Sequence, residues 1–173
     1  MIRRNRSLLA ILVLAACVQV LGMIRTPLPS QDGLKFIRIA REFTQQPWSD
    51  VVRSADQHPL YPALIATLHP LIAATIGDGP PSWRIAAQGV SLLATMTLIL
   101  PGFSVFARVV VGRRAALLAS LWLGLLPLIG ELGHETLSDA LAIGFAAGSL
   151  AFGCRFLTTG QPWTAIACGL LGG

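Results

Sequence analysis

Apolar runs make up most of this chain, and one long polar stretch, Pro29 to Pro62, interrupts them. Every apolar run has to be buried, in protein or in lipid. There is too little polar sequence to wrap them all in a water-facing shell. Only 12% of residues are charged and 54% are hydrophobic, which is about half the charged fraction of a soluble domain. The mean hydropathy of +0.68 points the same way. Lipid is the solvent for most of the protein.

The runs set the expected architecture: an all-α, polytopic transmembrane bundle. Ser7–Ile24 follows Arg3, Arg4 and Arg6 and is long enough to span. A signal peptide ending near Ala15-Ala16-Cys17 is the alternative, but the apolar run continues past it. Ile85–Ala107, Ala115–Leu132 and Leu137–Phe156 read as three further spans, with a kink expected at Pro101-Gly102. Pro162 opens a fifth, which reaches only about half the length a span needs. This leads to the expectation of a single transmembrane domain over 1–173 that is the front part of a larger protein. The cysteines Cys17, Cys154 and Cys168 lie apart inside apolar runs. They read as small buried hydrophobes, with neither metal spacing nor a disulfide framework.

Pro59–Ile76 is apolar but contains Pro62, His69 and Pro70, which suit a surface helix better than a span. Charge supports that choice. With the N-terminus in the cytoplasm and Pro59–Ile76 not crossing, Arg3, Arg4, Arg6, Arg108, Arg113, Arg114 and Arg155 all face the cytoplasm. All the acids, Asp32, Glu42, Asp50, Asp56, Asp78, Glu131, Glu135 and Asp139, then fall on the other side. This is the positive-inside pattern. The net charge of +5 therefore records topology. The basic residues are not clustered on a soluble module, so no nucleic-acid partner is expected.

Residues 26–83 become a long first extracytoplasmic loop. Within it, Gly33–Phe43 alternates Leu34, Ile37 and Ile39 with Lys35, Arg38 and Arg41, the pattern of an amphipathic helix on a membrane surface. Pro47-Trp48 looks like a turn into another helix. The arrangement puts two polar groups on one face. One holds Asp32, Lys35, His58 and Tyr61. The other holds Glu131, His134, Glu135 and Asp139, with the acids four residues apart as on one helical face. Acids at a membrane boundary by default mark a functional cavity. Each residue also has a bland reading. Asp32 could form an Asx turn with Gly33, His58 could be a turn residue before Pro59, and the later acids could flank a helix end. Glu42, Asp50, Asp56 and Asp78 read as solvated loop acids.

The order of features resembles a known family. A first span is followed by the acid Asp32, the surface helix with Ala40-Arg41-Glu42-Phe43, and His58-Pro59-Leu60-Tyr61-Pro62. Arg84 then opens the next span, and an acidic tip follows. This is similar to the N-terminal part of GT-C glycosyltransferases that use polyprenyl-phosphate sugars, such as protein O-mannosyltransferases and lipid A aminoarabinose transferases. The resemblance covers roughly 7–156 and rests on short motifs. It implies that Asp32 is a general base toward an acceptor hydroxyl and that Glu135 or Asp139 is a second acid. Lys35 would contact phosphate, and His58 and Tyr61 would line the donor pocket. Arg84, Glu131 and His134 join the substrate-binding set. Gly33 and Phe36 depart from the family pattern, and the second proline of the histidine motif is missing.

The expected activity is transfer of a sugar from a polyprenyl-phosphate donor to a lipid, glycan or protein acceptor, outside the cytoplasm, in a bacterial inner membrane. Such a donor is already activated, so the enzyme needs a base and cations near the departing phosphate. No cofactor is demanded, although a divalent metal would suit gathered carboxylates. The alternative is a non-catalytic, truncated paralogue or membrane subunit that binds lipid or protein. A transporter fits less well, because its acids should lie at mid-span.

Overall fold

In the computed structural model the described residues are 6–26, 30–126, 129, 131 and 138–173. Among them there are helices and turns and no strand. The first helix, α1 (Arg6–Arg25), is 20 residues of nearly unbroken apolar sequence. It meets the rest of the protein through Ala15 and Gln19, the buried positions on its face.

The polar stretch folds into two helices, α2 (Gln31–Gln45) and α3 (Trp48–Ser54), and leads into α4 (Leu60–Ile76). Ser30 starts α2, its hydroxyl accepting a hydrogen bond from the Gly33 amide at 3.1 Å, a standard N-cap arrangement. Asp32 therefore stands in the first helical turn, where the helix dipole favours a carboxylate, and not in an Asx turn. Pro62 falls in the first turn of α4, where its missing N–H costs nothing. Pro70 lies inside the helix, which continues through it to Ile76.

After the Gly77–Gly79 turn a single apolar segment runs from Pro80 to Val111, 32 residues without a break. Its parts are α5 (Pro80–Ala94), a π-helical turn (Thr95–Ile99) and α6 (Leu100–Val111). The sequence led us to expect a kink at Pro101. The chain widens one turn ahead of the proline, where the Leu100 amide donates to the carbonyl of Thr95. A widened turn relieves the clash between a proline ring and the carbonyl four residues back. At 1.5 Å per residue the segment is about 48 Å long, well beyond a hydrocarbon core of about 30 Å.

Gly112, at φ +79°, turns the chain into α7 (Arg113–Leu125). Farther along the chain are α8 (Asp139–Thr159) and α9 (Pro162–Gly172). α8 packs against α6 and the π turn, with α9 on its other flank. The contact with α6 is close. A Cβ on Gly102 would stand 2.7 Å from the Ala147 carbonyl oxygen, and one on Gly144 would stand 3.0 Å from Leu98 Cβ. Small residues permit such approaches between helices in lipid.

Among the described residues three helices are long and apolar enough to cross a membrane: Arg6–Arg25, Pro80–Val111 and Asp139–Thr159. They mark an integral membrane protein. In the expected span at Ala115–Leu132, α7 covers Arg113 to Leu125, 13 residues, or about 20 Å, and Ile129 and Glu131 are helical as well. Leu60–Ile76 and Pro162–Gly172 are shorter apolar helices.

The main core lies in the polar stretch's own layer. Phe36, Ile37, Ala40 and Phe43 of α2, Val51 of α3, Tyr61 and Ile65 of α4, and Trp83, Ala87 and Val90 of α5 form one cluster. The apolar face of α2 is thus turned toward α4 and α5. Leu34, expected with Ile37 on the apolar face, is exposed instead. Ile129, Ala140 and Leu141 belong to the same cluster, which ties the start of α8 to this layer.

Candidate functional site

The first turns of α2 carry a row of charges. Lys35 Nζ donates to Asp32 Oδ1 at 2.9 Å, and both side chains are about half exposed or more. One turn on, Arg38 lies between two carboxylates without closing on either. Its Nε is 3.8 Å from Glu42 Oε1 and its Nη2 is 3.9 Å from Asp56 Oδ1. The Asp32 carboxylate, with help from Asp56, holds the Lys35 ammonium above its ordinary value. Asp56, read from sequence as a solvated loop acid, therefore belongs to the cation row. It sits on the link between α3 and α4, two residues before His58, which is itself exposed.

Beneath the row, the Phe36 ring meets the Tyr61 ring edge-on, with centroids 5.2 Å apart and planes at 78°. Tyr61 is fully buried. Its hydroxyl donates to the Ala87 carbonyl at 3.0 Å and is 2.9 Å from Ser91 Oγ. Burial pushes the phenol well above its ordinary pKa, partly offset by Ser91. Tyr61 thus joins α4 to α5 and supports the row from below.

Two turns along the same face of α4, His69 stacks on Trp83 and its Nε2 is 3.0 Å from Ser82 Oγ. The same nitrogen is 3.4 Å from Asp78 Oδ1. Ser82 Oγ donates to the Gly79 carbonyl at 2.8 Å and accepts from the Gly79 amide at 3.2 Å. Its one proton is spent, so Nε2–H is the donor to Ser82 Oγ, and Asp78 lies near the same nitrogen at a longer ion-pair distance. Serine and aspartate share one ring nitrogen, whereas a catalytic relay uses both. This is a latch on the α4–α5 turn. Arg41 of α2 reaches the same indole, its guanidinium carbon 5.5 Å from the ring centroid.

Arg84 is half-buried beside Trp83. Asp139 is exposed in the first turn of α8, directly before the core residues Ala140 and Leu141. Glu131 is exposed. His134 and Glu135 lie outside the described residues. Asp32, Lys35 and Tyr61 are therefore gathered on one layer, and the helix that begins at Asp139 packs into that layer's core. Asp56, Arg41, His69 and Trp83 are additions to the set read from sequence. The available signal was the four-residue spacing Tyr61, Ile65, His69 on one face of α4, opposite the hydroxyls of Ser82 and Ser91.

Three apolar grooves are lined by none of the charged residues in the row. One of about 390 Å³ lies between α4, α5, the π turn and α8, lined by Leu64, Leu68, Leu71, Val90, Leu93 and Leu98 among others. Its threonines are satisfied internally, with the Thr67 hydroxyl donating to the Leu64 carbonyl and the Thr97 hydroxyl to the Leu93 carbonyl. The wall is therefore hydrocarbon in character. Among the described residues no group of three His, Cys, Asp or Glu side chains could hold a metal ion. No family model matches the chain, and no curated protein or solved structure is significantly similar to it.

Proposed function

We propose that this chain belongs to a membrane glycosyltransferase that moves a sugar from a polyprenyl-phosphate donor to an acceptor outside the cytoplasm. The observation that carries the reading is the Asp32–Lys35 pair on a helix packed against α4 and α5. A carboxylate at such a position can accept the proton of an acceptor hydroxyl brought within hydrogen-bond reach. Lys35, Arg38 and Arg84 supply cations for a departing phosphate. The hydrocarbon groove between α4 and α8 suits a prenyl tail. In this reading Arg113–Leu125 and Pro162–Gly172 belong to the further spans expected from sequence, and the layer of α2 to α4 lies outside the cytoplasm.

The test is a transfer assay in membranes with polyprenyl-phosphate sugars. Asp32→Asn should lower transfer by about a hundredfold or more while insertion and helix content are unchanged. Undiminished transfer removes Asp32 as the base.

A second reading has its own support. The charged row is exposed, Tyr61 is committed to the core, and the three grooves bypass Asp32, Lys35, His58 and Asp139. These features suit a non-catalytic membrane subunit that binds lipid or protein. It predicts no transfer by the wild type with any donor, and co-purification with a membrane partner instead.

A further inference from the structure

Arg38 is a cation held between acids that do not close on it. Its distances of 3.8 and 3.9 Å to Glu42 and Asp56 exceed hydrogen-bond length. Lys35, one turn away, is closed on Asp32 at 2.9 Å and also feels Asp56. Asp56 comes from a different segment, the link between α3 and α4; it stands 3.9 Å from Arg38, and its charge also reaches Lys35. Glu42 and Asp32 are bound to α2 by helix geometry, at i+4 and i−3 of the cations they meet. Asp56 is tied to the cations only through its own side chain.

We infer that Asp56 is a gate on an anion site formed by Lys35 and Arg38, occupying it until a phosphate-bearing ligand displaces the carboxylate. The ligand class is a phosphate mono- or diester, free or as a lipid headgroup. This rests on the reading of Lys35 and Arg38 as phosphate contacts and adds a competitor for that site. The chemistry favours exchange. A guanidinium offers five donors in a planar fork that matches phosphate oxygens, and a monodentate carboxylate at 3.9 Å uses little of that capacity. An exposed ion pair of this kind is weak enough for a better anion to replace it.

The experiment titrates inorganic phosphate onto the purified full chain in phosphatidylcholine nanodiscs at fixed ionic strength, followed by calorimetry. Asp56→Asn should tighten phosphate binding roughly two- to fivefold, the range set by one exposed ion pair. Asp50→Asn removes the same charge from α3, at a carboxylate hydrogen-bonded to Ser49, and should leave affinity unchanged. Arg38→Gln should abolish binding. Equal tightening by Asp50→Asn, or none by Asp56→Asn, overturns the gate while binding lost in Arg38→Gln keeps the anion site. No binding in any protein overturns the anion site with it. A repeat with phosphatidic acid in the nanodisc identifies the source. Weaker phosphate binding in the wild type assigns the site to lipid headgroups, and an unchanged affinity assigns it to free phosphate.

Discussion

The imidazole of His69 lies flat on the indole of Trp83, with ring centroids 3.6 Å apart and planes within 11°. The two residues are on facing helices of a hairpin, and Ser82, beside Trp83, holds the same imidazole by its Nε2–H. The stack and the hydrogen bond are therefore one unit. Ser82→Ala leaves the Gly79 amide and the His69 N–H without this acceptor, at a cost of about 1–2 kcal/mol. The double variant with His69→Ala should cost less than the two single changes added together, with a coupling of about 0.5–3 kcal/mol. Thermal unfolding of all four proteins in detergent measures it. Strict additivity would mean that the latch is not a unit.

Tyr61 is the single tyrosine of the chain, so phenolate absorbance reports on it alone. Its pKa is raised in the folded protein, chiefly by burial. The protonated phenol therefore contributes stability that is fully present below about pH 10, the ordinary value, and is lost as pH rises above it. Phenolate absorbance should remain absent at pH values where free tyrosine has ionised, and should appear together with loss of helical structure. A phenolate signal near pH 10 with the helices intact would contradict the burial.

Tyr61→Phe keeps the ring against Phe36 but leaves the Ala87 carbonyl and Ser91 without the hydroxyl. We expect a loss of about 1–2 kcal/mol, read by thermal unfolding in detergent. If Tyr61 also served a donor, this variant would lose transfer beyond its loss of stability.

Gly102 and Gly169 separate backbone approach from backbone freedom. A methyl at 102 meets the Ala147 carbonyl at 2.7 Å, whereas nothing lies within 4 Å of one at 169. Gly102→Ala should destabilise by about 1–3 kcal/mol because α6 and α8 must part. Gly169→Ala should be neutral or stabilise by up to about 1 kcal/mol. The order of unfolding temperatures tests the pair.

The helical class and the polar layer are legible in the residues themselves. Gly33–Phe43 carries its apolar positions at helical spacing. Less legible is what that apolar face meets. A strong amphipathic pattern is the same whether the partner is lipid or protein, and only α4 and α5, brought in by Tyr61 and Trp83, decide it. Pro101 shows the same limit. A proline marks a disturbance in a helix, but not the widened turn ahead of it, which forms where α8 packs against the segment. In the charged row, Asp32 and Lys35 could be paired from their three-residue spacing. The approach of Asp56 to Arg38 crosses 18 positions and depends on how α3 folds back, which no local pattern encodes.

The unbroken helix from Pro80 to Val111 works as a lever. One end is fastened to the layer that holds Tyr61, His69 and the charged row, and the other lies next to the basic turn at Arg113. A tilt of about 10° swings one end of a helix about 48 Å long by about 8 Å relative to the other. The layer rides on that arm through Ala87, Ser91 and Trp83. Asp139 rides on the same arm, because Ala140 and Leu141 beside it share the layer's core, so the charged row and the start of α8 tilt together against the bilayer surface.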